Sequence, residues 1–342
     1  MSSRLADIFA DFIANRTGAS DAEVVAFSKL SGGAIQDNFG LTLTLTGGTH
    51  PGQHELVVRQ DAPSGVPESL SRPQEFAVLK AAFEAGVTAP EPLWLCEDPS
   101  VSGNIFYVMK RARGTASPRK LVKAEHSPEA RSRLTRRFGE ELAHLHSIRP
   151  PREDLGFLPL PRPHHPALSR VLRYRRYLEQ IGEPHPVLEW ALNWLEDNAP
   201  EPGPTVLCHC DFRTGNYMMD GDELTAVLDW EFATWSDPCE DLGWLCSRSW
   251  RFGQEQREVG GMGDKSDLLA GYRDISGTEI NPDHVSYWEV MALVRWAMIA
   301  LQQARRHISG EQRSLELALT GRMVPQMELD LLQQIRELEA SQ

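Results

Sequence analysis

The sequence lacks any uninterrupted apolar run long enough to cross a membrane. The one internal candidate, from Val290 to Leu301, is interrupted by Arg295 and is shorter than the roughly 20 apolar residues that a span requires. The first residues also lack a cationic segment followed by an apolar core, the pattern of a secretory signal. We therefore expect a soluble, cytoplasmic protein that makes no membrane contact.

Basic residues are also in short supply. The 342 residues include 35 Lys and Arg against 48 Asp and Glu, so the formal net charge is −13. Nucleic-acid backbones are held chiefly by clustered Lys and Arg, and we therefore expect no nucleic-acid partner. An anionic substrate would need a local basic pocket or a metal ion.

Cysteine is scarce as well, with five residues in the chain: Cys96, Cys208, Cys210, Cys239 and Cys246. The number is odd, and the spacing lacks the C-x-x-C pairs of a structural zinc site. Because Cys208, His209 and Cys210 lie close together in sequence, a thiolate metal site remains an alternative. We expect reduced thiols that pack in the interior.

The first third of the chain predicts a small antiparallel sheet with one inserted helix. Strict alternation from Leu41 to Thr46 and a β-branched run from Glu55 to Gln60 predict two antiparallel strands. Ser71 and Gln74 have capping-box spacing ahead of an apolar helical stripe formed by Phe76, Leu79 and Phe83. Residues 104–109 predict another strand.

Longer helices are predicted after about residue 112. An apolar stripe runs from Leu134 to Leu145, and helical patterns return from Asp283 to the end. We expect one lobe over residues 1–112 and a helical second lobe over residues 113–342.

The segment from Val206 to Glu231 carries the most informative pattern. It contains His209-x-Asp211-x4-Asn216, followed by Asp229 at the end of a short apolar strand that an Asp-Gly turn precedes. Asp, Asn and Asp side chains are hard oxygen ligands of the kind that Mg²⁺ prefers, usually together with nucleotide phosphates. Kinases use a similar set, in which a loop Asp accepts the substrate proton. Turn capping and strand termination would also account for these residues.

This segment resembles the aminoglycoside phosphotransferase and choline-kinase-like group of small-molecule kinases. The resemblance lies in HCDFRTGN at residues 209–216 and in LDWE at residues 228–231, and it extends over most of the chain. It is strongest to the phosphotransferase modules associated with acyl-CoA dehydrogenases, including SLELALTGR at residues 314–322. It implies a two-lobed, protein-kinase-like α+β fold that uses ATP and Mg²⁺.

The resemblance also implies roles for individual residues. Asp211 corresponds to the catalytic base, Asn216 and Asp229 to the Mg²⁺ ligands, and His209 to a scaffold residue of the loop. The cofactor-binding residues would lie in the N-terminal, nucleotide-binding lobe: Gly32, Gly33, Arg59, Glu75 and Met109.

Two positions depart from the family pattern. Arg59 replaces the usual lysine of the third strand, and its larger guanidinium would place the phosphates slightly differently. Cys210 replaces a usual glycine, which affects the expected geometry of the loop.

These observations predict a phosphotransferase that moves the γ-phosphoryl group of ATP to a hydroxyl of a small molecule. The acceptor implied by the resemblance is a hydroxyacyl-CoA or a hydroxy acid, and an aminoglycoside or a choline-like amino alcohol is the alternative. A basic group at Arg170, Arg173, Arg175 and Arg176 could receive CoA phosphates or simply form a solvated helix face. A nucleotide-binding pseudokinase, a metal hydrolase and a homodimer are also left open.

Overall fold

The computed structural model describes residues 2–30, 36–61, 69–162 and 164–340. The described residues form two compact units. The first unit takes its residues from Met1–Gly114, Pro151–Phe157 and Tyr217–Ala233, and the second from Thr115–Pro150, Leu158–Asn216 and Thr234–Gln342. Two segments that the sequence analysis assigned to residues 113–342 thus belong with the first unit.

Helices and strands alternate in the first part of the chain, and helices dominate later. In chain order, the elements are α1 (Ser2–Thr17), β1 (Asp21–Lys29), β2 (Gln36–Thr46), β3 (Gly52–Asp61), α2 (Arg72–Glu84), β4 (Pro92–Cys96), β5 (Phe106–Lys110), α3 (Pro118–Lys123), α4 (Pro128–His146), α5 (Pro166–Ile181), α6 (Pro186–Asp197), β6 (Val206–Cys208), β7 (Tyr217–Asp220), β8 (Glu223–Val227), β9 (Thr234–Ser236), α7 (Pro238–Cys246), α8 (Lys265–Ser276), α9 (Pro282–Ile308), α10 (Leu315–Gly321) and α11 (Val324–Ala340). Among the described residues, no helix has the length and apolar character needed to cross a bilayer.

The first unit is built on a five-stranded antiparallel sheet with the strand order β1-β2-β3-β5-β4. Period-two alternation places Leu41, Leu43 and Leu45 on one face, where they are buried against Phe9 and Phe106. The two strands predicted from residue 41 onward are confirmed as β2 and β3. β1 was not predicted, because it is a largely exposed edge strand whose pairing with β2 is interrupted by a bulge.

Helix α2 begins as its sequence predicts. Ser71 precedes the helix, and its backbone N–H donates to Gln74 Oε1 at 3.0 Å. Leu79 is buried on the predicted apolar face, but Phe83 is 39% exposed because it lies in the last turn of the helix, which ends at Glu84. The apolar stripe is therefore shorter than predicted.

The β7–β8 hairpin is joined to the rest of the first unit by two hydrogen bonds to backbone oxygens. The Val227 N–H donates to Thr88 O, and Thr225 Oγ1 donates to Arg113 O, each at 2.7 Å. The hairpin confirms the predicted turn at Gly221. It ends two residues before Asp229 and so positions that residue within the first unit.

The second unit is mainly helical, and two of its helices pack almost backbone to backbone. A Cβ atom at Gly139 of α4 would overlap the carbonyl oxygen of Leu268, and one at Gly271 of α8 would overlap the carbonyl oxygen of Arg136. Glycine is disfavoured inside helices, so its presence at both positions reflects this close approach.

We expect Gly139→Ala to lower the free energy of unfolding by about 1–3 kcal/mol, the usual cost of overpacking. At an exposed helical position, a change from Gly to Ala would instead raise the free energy of unfolding by up to about 1 kcal/mol. A lower urea midpoint with an unchanged slope measures the effect. Ser132→Ala on the same helix serves as the control, and equal midpoints for the two variants would contradict the prediction.

Candidate functional site

The loop of residues 209–216 leaves strand β6 through an unusual backbone conformation. β6 pairs with β9, and Cys210 follows it with φ of 59°. This is the left-handed region, which costs a residue with a Cβ about 1–2 kcal/mol. The conformation explains why a glycine is usual at this position in the family that the sequence resembles.

Asp241 of α7 holds this loop by its backbone. Its carboxylate accepts the N–H groups of His209 and Cys210, each at 2.7 Å, and His146 Nε2 lies 3.2 Å from its Oδ2. Burial alone would raise the pKa of Asp241, but the hydrogen bond and charge of His146, together with His209, lower it below the usual value. The carboxylate is therefore an ionised buried anchor for the loop.

His209 lies inside the second unit and does not face solvent. Its Nδ1 accepts the N–H of Asp211 at 3.1 Å, which braces the loop from within. This contact favours the scaffold interpretation of His209 over a role in proton transfer.

Asp211 presents a carboxylate with both oxygens engaged. Oδ1 accepts Trp244 Nε1 at 3.0 Å and Arg213 Nε at 3.2 Å, and Oδ2 accepts Asn216 Nδ2. The residue is only 8% exposed. These three donors fix the orientation of the carboxylate.

Asn216 is oriented by the same residue. Its Nδ2 donates to both the backbone oxygen of Asp211, at 3.0 Å, and the carboxylate. Since both N–H bonds are directed to Asp211, the amide oxygen is turned away from it and can act as a ligand. A hard oxygen donor of this kind fits Mg²⁺.

The first unit contains a separate ionic cluster around Arg59. Its Nη2 lies 2.6 Å from Asp229 Oδ1 and 3.0 Å from Glu75 Oε1, and its Nε donates to Glu75 Oε2 at 3.2 Å. Burial would lower the pKa of Arg59, but Glu75 and Asp229 raise it, so the guanidinium stays charged. The structure therefore brings three of the predicted residues, Arg59, Glu75 and Asp229, into direct contact.

A second arginine joins the same cluster. Arg72 pairs with Glu75, donates to Asp61 Oδ1 at 2.9 Å and lies 3.9 Å from Glu231 Oε2. The side chains of Arg72 and Glu75 are almost completely buried. Glu75 is therefore shared by two guanidiniums.

Asp229 also has a left-handed backbone, with φ of 70°. Asp tolerates this region better than most residues that carry a Cβ. The conformation lies between the end of β8 and the short helical turn Trp230–Phe232. It directs the carboxylate to Arg59, and a carboxylate oxygen at this position suits Mg²⁺ by its chemistry.

The remaining predicted residues are placed as follows. Gly32 and Gly33 lie outside the described residues. Met109 is a partly exposed residue of β5, paired in register with Val57 and Pro92. Arg170 belongs to neither a solvated face nor an open phosphate site, because it is buried and its Nε donates to Glu240 Oε1 at 2.9 Å.

Several residues of these clusters were missed in the sequence. Arg72 lies inside the capping-box segment, where it reads as an ordinary residue of the first helical turn. Trp244 follows Asp241 by three residues, a spacing that places both on one face of α7. The spacing could have indicated that Trp244 and Asp241 share a face of α7. It could not have indicated that this face contacts the loop of residues 209–216, because that contact depends on the tertiary fold.

All five cysteines are unpaired and buried, as expected. The alternative of a thiolate metal site has a structural counterpart, because ligand atoms of His146, Cys208 and Asp241 lie within 4.8 Å of one another. Protein groups already engage them: Cys208 donates to Asp237 O at 3.3 Å, and His146 contacts Tyr272 and Asp241. These bonds satisfy the cluster without a metal ion.

The comparison with known families decides which family the chain belongs to. A model of the phosphotransferase enzyme family matches residues 26–275. The chain belongs to this family. Acyl-CoA dehydrogenase family member 11 of Rattus norvegicus is 27% identical over 290 residues, which cover 80% of this phosphotransferase and 36% of the rat protein. The chain thus spans little more than a third of that relative's length.

Solved structures show the same fold. A candidate aminoglycoside phosphotransferase from Ralstonia eutropha has a TM-score of 0.75 at 20% identity, covering 97% of this chain and 98% of that one. A choline/ethanolamine kinase family protein from Mesorhizobium loti has a TM-score of 0.57 at 19% identity, covering 97% of this chain and 95% of that one. The predicted kinase-like α+β fold is confirmed.

We expect the thiols of this phosphotransferase to resist modification in the native state. Burial raises the pKa values of Cys208, Cys210 and Cys239 well above their usual value, so little thiolate forms even at pH 8. At pH 8, an aromatic disulfide reagent should react only slowly with the thiols of the native protein. In urea, which unfolds the protein, it should react rapidly with all five thiols. A rapidly reacting equivalent in the native state would contradict this.

We expect Asp241→Asn to destabilise the protein by about 1–3 kcal/mol, since a single amide oxygen leaves one buried backbone N–H unpaired. Because the folded pKa of Asp241 is lowered, its contribution is fully present above the unfolded pKa of about 3.9 and is lost as pH falls through the folded value. The difference from wild type, measured by urea unfolding, should thus be constant from about pH 5 to 8 and shrink below pH 4.

The control for this variant is Asp264→Asn. Asp264 is exposed, precedes α8 and makes no side-chain capping bond. Equal unfolding midpoints for the two variants would show that Asp241 does not anchor the loop.

Proposed function

We propose that the chain is an ATP- and Mg²⁺-dependent phosphotransferase that phosphorylates a hydroxyl group of a small molecule. The observation that carries this proposal is the carboxylate of Asp211, which is held by Trp244, Arg213 and Asn216 in a loop that a buried aspartate anchors. A carboxylate held in one orientation can align a hydroxyl group and accept its proton. Membership of the phosphotransferase enzyme family supports the same reaction class.

The remaining residues take roles in binding. Asn216 and Asp229 hold Mg²⁺ through side-chain oxygens, and Gly32, Gly33 and Met109 belong to the ATP site. Arg59, fixed by Glu75, orients Asp229. When bound, Mg²⁺ neutralises charge on the nucleotide phosphates. The protein supplies alignment and charge, because phosphoryl transfer needs little covalent help.

For the acceptor, we favour a hydroxy acid or a hydroxyacyl-CoA over an aminoglycoside. Arg213 donates to the Asp211 carboxylate, and the Cζ atom of Arg295 lies 4.4 Å from the ring centroid of Trp244, whose indole N–H contacts the same carboxylate. A polycationic acceptor would meet these guanidiniums, whereas a neutral or anionic acceptor would not be repelled by them. The relatives' names support an acyl-CoA connection, since they are acyl-CoA dehydrogenase family members.

The test is a nucleotide-consumption assay with Mg²⁺ and ATP over a panel of acceptors. The panel contains short hydroxy acids, hydroxyacyl-CoA esters, an aminoglycoside and choline. Asp211→Asn should reduce acceptor-dependent turnover by about 10²- to 10⁴-fold, the usual effect of removing a general base, while ATP still binds. Asp229→Ala should weaken the Mg²⁺-dependent part of ATP binding.

Asp220→Asn is the control, because Asp220 is an exposed residue at the tip of the β7–β8 hairpin. Full turnover by Asp211→Asn would remove the role of that residue. ATP binding without consumption by any acceptor would indicate a pseudokinase, and phosphate release that ignores the acceptor would indicate a hydrolase.

A further inference from the structure

The two carboxylate oxygens of Asp211 accept different numbers of hydrogen bonds. A carboxylate offers about four lone-pair positions, two on each oxygen. On Oδ1, both are used by Trp244 Nε1 and Arg213 Nε, at 3.0 and 3.2 Å. On Oδ2, the bond from Asn216 Nδ2 uses one. The oxygen with capacity for another proton is therefore Oδ2.

Trp244 is the buried donor that fills Oδ1. It is only 2% exposed, whereas the Arg213 side chain is 27% exposed and its bond competes with water. Trp244 lies one turn after Asp241 on α7, and Asp241 holds the backbone of the same loop. One helix thus fixes both the backbone of the loop and the carboxylate that it presents.

The indole ring of Trp244 is itself held on two sides. The Cζ atom of Arg295 lies 4.4 Å from the ring centroid, and the ring of Trp250 packs at 5.1 Å between centroids. A cation over an indole face is attracted to its π electrons. The two contacts hold the ring in the position from which Nε1–H donates to Oδ1.

Trp288 shows that packing alone does not need an indole N–H in this part of the fold. It is also 2% exposed in the second unit, yet its buried Nε1 has no hydrogen-bond partner among the residues that the structure describes. The contact from Trp244 to Asp211 is thus a feature that goes beyond ring packing.

We propose that Trp244 is a positioning residue for phosphoryl transfer: its indole N–H saturates Oδ1 of Asp211 and leaves Oδ2 as the oxygen that receives the acceptor's proton. This inference rests on the proposed function of Asp211 as the base. In the transfer step, the hydroxyl O–H bond breaks, its proton moves to Oδ2, and the oxygen bonds to the γ-phosphorus as the bond to the β-γ bridging oxygen of ATP breaks.

The first test is Trp244→Phe, which keeps an aromatic ring and removes the N–H. We expect kcat for acceptor-dependent ATP consumption to fall about 10- to 100-fold, as for loss of a hydrogen bond to a charged group. KM for ATP should stay within about twofold, because Trp244 acts on the base and not on the nucleotide. Trp288→Phe removes the same ring volume without removing a hydrogen bond and should leave kcat nearly unchanged.

A double-mutant cycle separates positioning from structural damage. In an Asp211→Asn background, Trp244→Phe should lower kcat by less than about threefold, because the carboxylate through which Trp244 acts is already lost. The inference is overturned if Trp244→Phe costs the same factor in both backgrounds, or if its kcat matches that of Trp288→Phe.

The indole N–H signals of the ¹⁵N-labelled protein give a readout that does not depend on turnover. The Trp244 signal, assigned by its loss in Trp244→Phe, should move in Asp211→Ala and stay in place in Asp220→Asn. An unmoved signal in Asp211→Ala would overturn the contact. A wild-type chain that consumes no ATP with any acceptor would instead defeat the proposed function, and these two failures are distinguishable.

Discussion

A buried carboxylate of the second unit holds the loop of residues 209–216 on which the proposed chemistry depends. The Asp241 carboxylate binds two consecutive backbone N–H groups, at His209 and Cys210, and it also contacts His146. A buried charge is costly unless its bonds are satisfied, and here three donors satisfy it. Helix α7 and the loop are thereby fixed to each other, and Trp244 can reach Asp211 only because they are.

Left-handed backbone conformations occur beside two of the clusters described above. Among the described residues that carry a Cβ atom, three have a left-handed backbone conformation. They are Cys210, which precedes Asp211 in the chain, Asp229 in the first unit, and Phe252. Such positions persist where surrounding contacts over-determine them. Cys210 is held by Asp241, and Asp229 is held by Arg59. In both cases an ionic or charge-assisted contact offsets the conformational cost.

The sequence predicted the elements with strong periodicity and the residues that belong to a local motif. β2, β3, α2 and the β7–β8 hairpin follow from alternation, capping and turn chemistry, and the family followed from residues 209–216 and 228–231. Partners that are distant in the chain were not predictable in this way. Arg59 and Asp229 are 170 residues apart, and the Trp244 indole reaches back 33 residues to Asp211.

The formal charge of the ionic cluster in the first unit bears on which cation could bind there. Two guanidiniums, Arg59 and Arg72, contact a group of four carboxylates: Asp61, Glu75, Asp229 and Glu231. The cluster therefore carries a formal excess of two negative charges. A divalent cation held at Asp229 would bring that balance to zero, whereas a monovalent ion would leave it unbalanced.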